Sequence, residues 1–196
     1  MPSSVDLCNS ALNMIGASNI TSFTEDSKAA RLCNQRYDFI RDKVFRSHNW
    51  NCLLTRVVLT PDATAPSFEF ANQFTLPTDP FCLRPMNLDV SSIVYNVEGR
   101  KILTDESTIN LLYVARVLDV NTYDVALMET ISIALAADFA YPLTNSVSLG
   151  QAMQQKYDKM VSEARFLDAI EGATANNSTV TDRMTLEANE FINARI

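Results

Sequence analysis

Glycine is scarce: Gly16, Gly99, Gly150 and Gly172 are the only four in 196 residues. No Walker loop and no dinucleotide fingerprint can be written with that spacing, because both need closely set glycines to bring backbone amides onto phosphate. Histidine and tryptophan occur once each, as His48 and Trp50. One histidine gives a His-based metal site no co-ligands, and no motif supplies His48 with a nucleophile or an orienting acid. The four cysteines, Cys8, Cys33, Cys52 and Cys82, show neither a CxxC pair nor metal-like spacing. No metal or other cofactor is expected. Apolar stretches are interrupted by polar residues, so none is expected to reach the ~18 residues of a membrane span. The opening MPSSVD has neither a basic nor an apolar region, and no export signal is expected. In a chain made in a cytosol, the cysteines read as buried thiols rather than disulfides.

What is present supports a folded core. Hydrophobic residues make up 47% of the chain, enough to exclude global disorder. The formal net charge is −7, which works against long-range attraction to nucleic acid.

Val5, Cys8, Leu12 and Ile15 recur at helical spacing, with Ser3 or Ser4 as N-cap and Gly16 as the stop. A second helix, capped by Thr24 or Asp26 and running to about Arg46, buries Ala29, Cys33, Tyr37, Ile40 and Val44. Its outer face is expected to carry Lys28, Arg31, Arg36, Arg41 and Lys43. After Trp50 the period becomes strand-like. CLLTRVVLT, Phe68-Glu69-Phe70, Phe74-Thr75-Leu76 and the segments 83–90, 92–97, 101–104 and 109–114 alternate between turns marked by proline. Short turns between successive strands, with a hairpin at Glu98-Gly99, predict an antiparallel meander. Helical spacing returns at Leu127, Met128, Ile131, Leu135 and Phe139, in a helix apolar nearly all round that Pro142 is expected to end. A last helix from Val147 to about Glu171 buries Leu149, Met153, Tyr157, Met160, Ala164 and Leu167.

The predicted fold is therefore α+β: a four-helix bundle (two N-terminal and two C-terminal helices) with an inserted antiparallel β region and a C-terminal arm. Residues 1–50 plus 121–171 form the bundle, 51–120 the insert and 172–196 an extended arm. The polar GATANNSTVT separates the bundle from Met184, Leu186, Phe191 and Ile192, too few apolar residues to fold alone and so expected to meet a partner.

YDFIRDKVFRSHNWN, residues 37–51, concentrates the candidate chemistry. His48 at a helix end reads as a local hydrogen-bonding group rather than a catalyst. Trp50 reads as core at the junction of helix and sheet, with Tyr37 beside it. Arg36, Arg41, Lys43 and Arg46 read as phosphate contacts or as partners in salt bridges within or between subunits. Asp138, inside the apolar ISIALAADFA, reads as paired with an arginine or tyrosine. No catalytic constellation emerges, and the chain is not expected to be an enzyme.

NSALNMIG followed by AARLCNQRYDFIRDKVFRSHNWN resembles the tail tubular protein A family, the head-to-tail adaptors or gatekeepers of short-tailed bacteriophages. The likeness continues through FTLPTDPFCLRPMNL, NVEGRKILTDESTINLLYVARVLDVNTYD and YDKMVSEARFLDAIEG, spanning about 5–172. Family members often carry a proline before the tryptophan and an aromatic after Trp50-Asn51, where this chain has Asn49 and Cys52. The resemblance implies a dodecameric homo-oligomer ring in the virion neck, with Arg36, Arg41, Lys43, Arg46, Met184, Leu186, Phe191 and Ile192 at subunit or portal contacts. That ring would bind the portal protein above and the tail nozzle protein below, pass double-stranded DNA transiently and without sequence preference, and contact no membrane. Two other readings stand beside it: a head-completion or stopper protein of a long-tailed phage, and a nucleic-acid-binding module built on the basic second helix and Trp50.

Overall fold

A computed structural model describes residues 2–90 and 92–173. The candidate arm residues Met184, Leu186, Phe191 and Ile192 lie outside the described residues. Among the described residues the chain is mixed α and β, with four α-helices and two small antiparallel sheets.

Helix α1 (Ser4–Met14) starts at a capping box: Ser3 Oγ accepts from the Asp6 amide, and Asp6 accepts from the Ser3 amide. Beyond its end, Gly16 adopts φ +72°, the left-handed geometry that stops the helix without a Cβ clash. Helix α2 (Lys28–Ser47) is capped by Ser27, whose Oγ accepts from the Ala30 amide. The sequence pointed to Thr24 or Asp26 instead. Both sit in an irregular turn in which Ser22 and Thr24 hydroxyls bond each other and Asp26 takes Arg31. The buried face of α2 is Ala30, Cys33, Tyr37, Ile40, Arg41, Val44 and Phe45, so Ala29 is only half-buried and Arg41 lies inside rather than outside.

Helix α3 (Val125–Thr144) is capped by Asp124, which accepts from the Ala126 amide. It packs against α1, α2 and α4 (Val147–Ala173), which explains why it is apolar on nearly every side. By length and composition α3 does qualify as a membrane span, contrary to the expectation that none would, but 61% of its most apolar window is buried inside the protein. Pro142 does not end the helix. It lies inside the last turn, and Asn145 in the left-handed region forms the cap. Helix α4 continues through Gly172 to Ala173, into the span expected to be linker. On its buried face Leu167 is 51% exposed, and Val161 and Asp168 are buried instead.

The strands are β1 (Leu54–Leu59), β2 (Asn72–Thr75), β3 (Cys82–Leu88), β4 (Tyr95–Glu98), β5 (Lys101–Thr104) and β6 (Ile109–Ala115). They do not form a meander. One sheet runs β1-β6-β3 and the other β2-β5-β4, all antiparallel, so the last strand returns to the centre of the first sheet. The alternation of β6 accounts for that central place. Ile109, Leu111, Tyr113 and Ala115 face a cluster shared with Phe74, Leu88 and Ile102, while Val114 points the other way into the helical core. Pro85 is carried by edge strand β3, where the register shifts around it. The hairpin at Glu98-Gly99 joins β4 to β5, with Gly99 at φ +58°. Phe68-Glu69-Phe70 is not a strand: Glu69 has φ +71° and Phe68 is 79% exposed. The predicted strand at Cys52 also begins later, because Asn51–Leu53 closes as a 3-10 turn.

Candidate functional site at the helix-to-sheet junction

The chain leaves α2 at His48, which takes an extended conformation, and Trp50 then turns back into the core. Trp50 is fully buried, its Nε1 donating to the carbonyl of Val44 at 3.0 Å, so the indole closes the end of α2 with its one donor satisfied. The His48 ring meets it edge-on, with centroids 5.0 Å apart. Helix α4 completes the junction from far along the chain. The Oδ2 of buried Asp168 lies 2.9 Å from His48 Nε2, its Oδ1 accepts from the Asn51 amide at 2.9 Å, and its main-chain carbonyl accepts from Asn51 Nδ2 at 2.6 Å. Arg165 donates to the Ser47 carbonyl at 2.6 Å, so two residues of α4 fasten the last turn of α2. His48 is thus a structural clasp. The clasp was signalled by α4 itself: Tyr157, Val161, Ala164 and Asp168 keep helical steps along one face.

The candidate cations separate into two groups. Arg36 donates through Nε and Nη2 to the two oxygens of Asp138, both at 2.8 Å, a bidentate pair joining α2 to α3. That hydrogen bond and the Asp138 charge raise the Arg36 pKa, and Asp138 has the arginine partner its setting called for. Arg41 is 5% exposed. It reaches Asp38 at 2.8 Å and Asp42 at 2.9 Å, with its guanidinium 5.6 Å from the Tyr37 ring centroid and 5.9 Å from that of Phe45. Burial disfavours its charge, but the Asp42 hydrogen bond and the two carboxylates outweigh that, and its pKa is raised. Lys43 and Arg46 are exposed, and Arg46 Nη1 donates to the Leu83 carbonyl of β3.

Tyr37 packs near Phe23, at 5.8 Å between rings, and its buried hydroxyl has no hydrogen-bond partner among the described residues. Asp42 carries the junction onward to the sheet: its second oxygen takes Arg116 at 2.5 Å. The Phe81 ring then receives two guanidiniums, Arg100 at 3.9 Å and Arg116 at 4.4 Å from its centroid. Spacing within α2 gave no hint of this second array, because the groups beyond Asp42 come from the residue before β3, the β4–β5 turn and the residue after β6.

All four cysteines are free, and Cys8, Cys33 and Cys82 are buried. Among the described residues no group of three His, Cys, Asp or Glu side chains is placed to hold a metal ion. No protein-family model and no curated protein matches this chain.

Proposed function

We propose that the chain is a structural head-to-tail adaptor of a tailed bacteriophage. In this reading the four helices act as one bundle, residues 1–50 plus 121–171, that builds the wall of a dodecameric ring and meets the portal protein. The β region, 51–120, faces the tail nozzle protein, and the ring encloses a channel through which double-stranded DNA passes without being held. The protein resides in the virion neck, touches no membrane and turns over no substrate.

The observation that carries the reading is the set of large apolar side chains left open on the helices. Phe39 on α2 is 70% exposed, and Phe166 and Leu167 on α4 are 64% and 51% exposed. Isolated exposed apolar residues need no account, but large ones on two helices suit surfaces that are covered on assembly. Lys43 remains available as a rim charge, whereas Arg36 and Arg41 are engaged with carboxylates and Arg46 with the Leu83 carbonyl within the chain. That division also weakens a nucleic-acid grip built on α2, since the four cations do not converge as free groups.

The test is mass by light scattering, alone and with a candidate portal ring, with duplex DNA as control at low and moderate salt. A monomer or ring that joins the portal and ignores DNA supports the adaptor. Salt-sensitive DNA binding without portal assembly overturns it.

A further inference from the structure

A cleft of about 460 Å³ opens where the C-terminal end of α2 faces β3 and the β4–β5 turn. Its charged lining is Asp42, Arg46, Arg100 and Arg116. We propose that this cleft binds a dianionic phosphate group. The inference is independent of the adaptor reading.

Each arginine is held by groups that fix its position, and most of those groups leave its charge uncancelled. Arg100 donates to the main-chain carbonyls of Leu76, Pro77 and Cys82, and Arg46 to that of Leu83. Carbonyls orient a guanidinium but do not neutralise it. Phe81 supports Arg100 and Arg116 from its ring. Asp42 is the one carboxylate in the lining, and it is already divided between Arg116 and Arg41. Arg84 adds a further cation close by: burial, and then the charge of Arg46, hold its pKa below the usual arginine range. The Nε groups of Arg84 and Arg116 are buried and have no protein acceptor among the described residues.

The result is a fixed set of donors and an excess of positive charge on a chain whose net charge is −7. Planar guanidiniums match oxyanions through paired N–H groups. Three arginines against one aspartate in the lining leave two uncancelled charges, with Arg84 beyond them. A dianionic phosphate balances that excess. A carboxylate, or one phosphodiester of a nucleic-acid backbone, carries a single charge and does not. The source is free phosphate or the terminal phosphate of a small molecule, which present the same chemistry.

The full chain is titrated with inorganic phosphate by calorimetry and by thermal melting, against chloride at matched ionic strength. Saturable binding and a rise in Tm specific to phosphate are expected. Arg46→Gln and Arg100→Gln should each weaken binding by about tenfold or more, the loss of a charge-assisted contact. Arg56→Gln, an exposed cation on β1, should bind as the parent does. Arg46 is exposed, so its variant stays decisive if Arg100→Gln does not fold. Competition by a nucleoside monophosphate supports the site and makes a terminal phosphate its ligand; phosphate binding without that competition supports it with free phosphate as the ligand. An equal Tm rise in chloride, an Arg46→Gln variant that binds phosphate undiminished, or displacement of phosphate by duplex DNA but not by the nucleotide overturns the proposal.

Discussion

Asp168, in the last turns of α4, holds both His48 and the Asn51 amide, each at 2.9 Å, across about 120 positions of sequence. One buried carboxylate therefore fixes the point where α2 gives way to the sheet. Removing it leaves the Asn51 amide and the His48 ring without their shared acceptor. Asp168→Ala is expected to cost about 3 kcal/mol, measured by urea unfolding. His48→Ala should cost less, since Asn51 still occupies the carboxylate. If Asp168→Ala costs no more than His48→Ala, the clasp does not hold the junction.

Trp50 supplies the junction with volume as well as a donor. Trp50→Ala should destabilise by about 3–5 kcal/mol, the range for an emptied aromatic site. Trp50→Phe keeps most of the apolar contact but loses the bond to Val44, and about 1 kcal/mol beyond the change in packing is expected. Denaturant midpoints for the two variants separate packing from hydrogen bonding.

Two buried tyrosines predict opposite outcomes. Tyr123 Oη donates to the Val117 carbonyl at 2.7 Å, whereas the Tyr37 hydroxyl has no partner among the described residues. Tyr123→Phe should cost about 1 kcal/mol, while Tyr37→Phe should be neutral or stabilising, having removed a buried unpaired hydroxyl. Equal losses in thermal unfolding would contradict this.

The same two residues set an alkaline limit. Burial pushes the Tyr123 pKa up to about 12 and raises that of Tyr37 as well. An unfolded tyrosine releases its proton near pH 10. The folded state then binds more protons than the unfolded state, so stability is intact below about pH 10 and is lost as pH rises through about 12. Tyr37→Phe should flatten that decline. An unchanged alkaline slope would remove Tyr37 as a contributor.

Charge reversal on α2 should divide folding from assembly. Arg41→Glu places an acid beside Asp38 and Asp42 at a buried site, and a loss of about 3–5 kcal/mol is expected. Lys43→Glu, on the exposed face, should leave the melting temperature nearly unchanged and, under the proposed adaptor role, reduce portal assembly. The reverse pattern, with Arg41→Glu folded and Lys43→Glu unfolded, would invert the assignment of core and rim.

The helices were legible in sequence because burial imposes a 3.6-residue period that survives without knowledge of the partner. Cys8 and Leu12, Cys33 and Ile40, and Leu127 to Phe139 all fall where that period puts them. The core role of Trp50 and the pairing of Asp138 were readable for the same reason: a large indole and an acid in an apolar helix each have few stable settings. Arg41 and Asp168 lay on those same faces, at Tyr37 plus four and Ala164 plus four, yet residue type argued for solvent. Only their partners reversed that.

Strand order was not legible, because alternation reports which residues face a core and not which strand lies alongside. The place of β6 between β1 and β3 depends on residues more than twenty positions apart finding one apolar cluster. The arginine-lined cleft was hidden for a related reason. Arg46, Arg100 and Arg116 are unremarkable singly, and their charge acquires meaning when three separate elements bring them to one place. Sequence alone determined the composition and the apolar periods that make the helices and short strands. Tertiary structure decided which charges were buried in pairs and which were left together without a counter-charge, since Coulomb energy and desolvation depend on distance in space rather than along the chain.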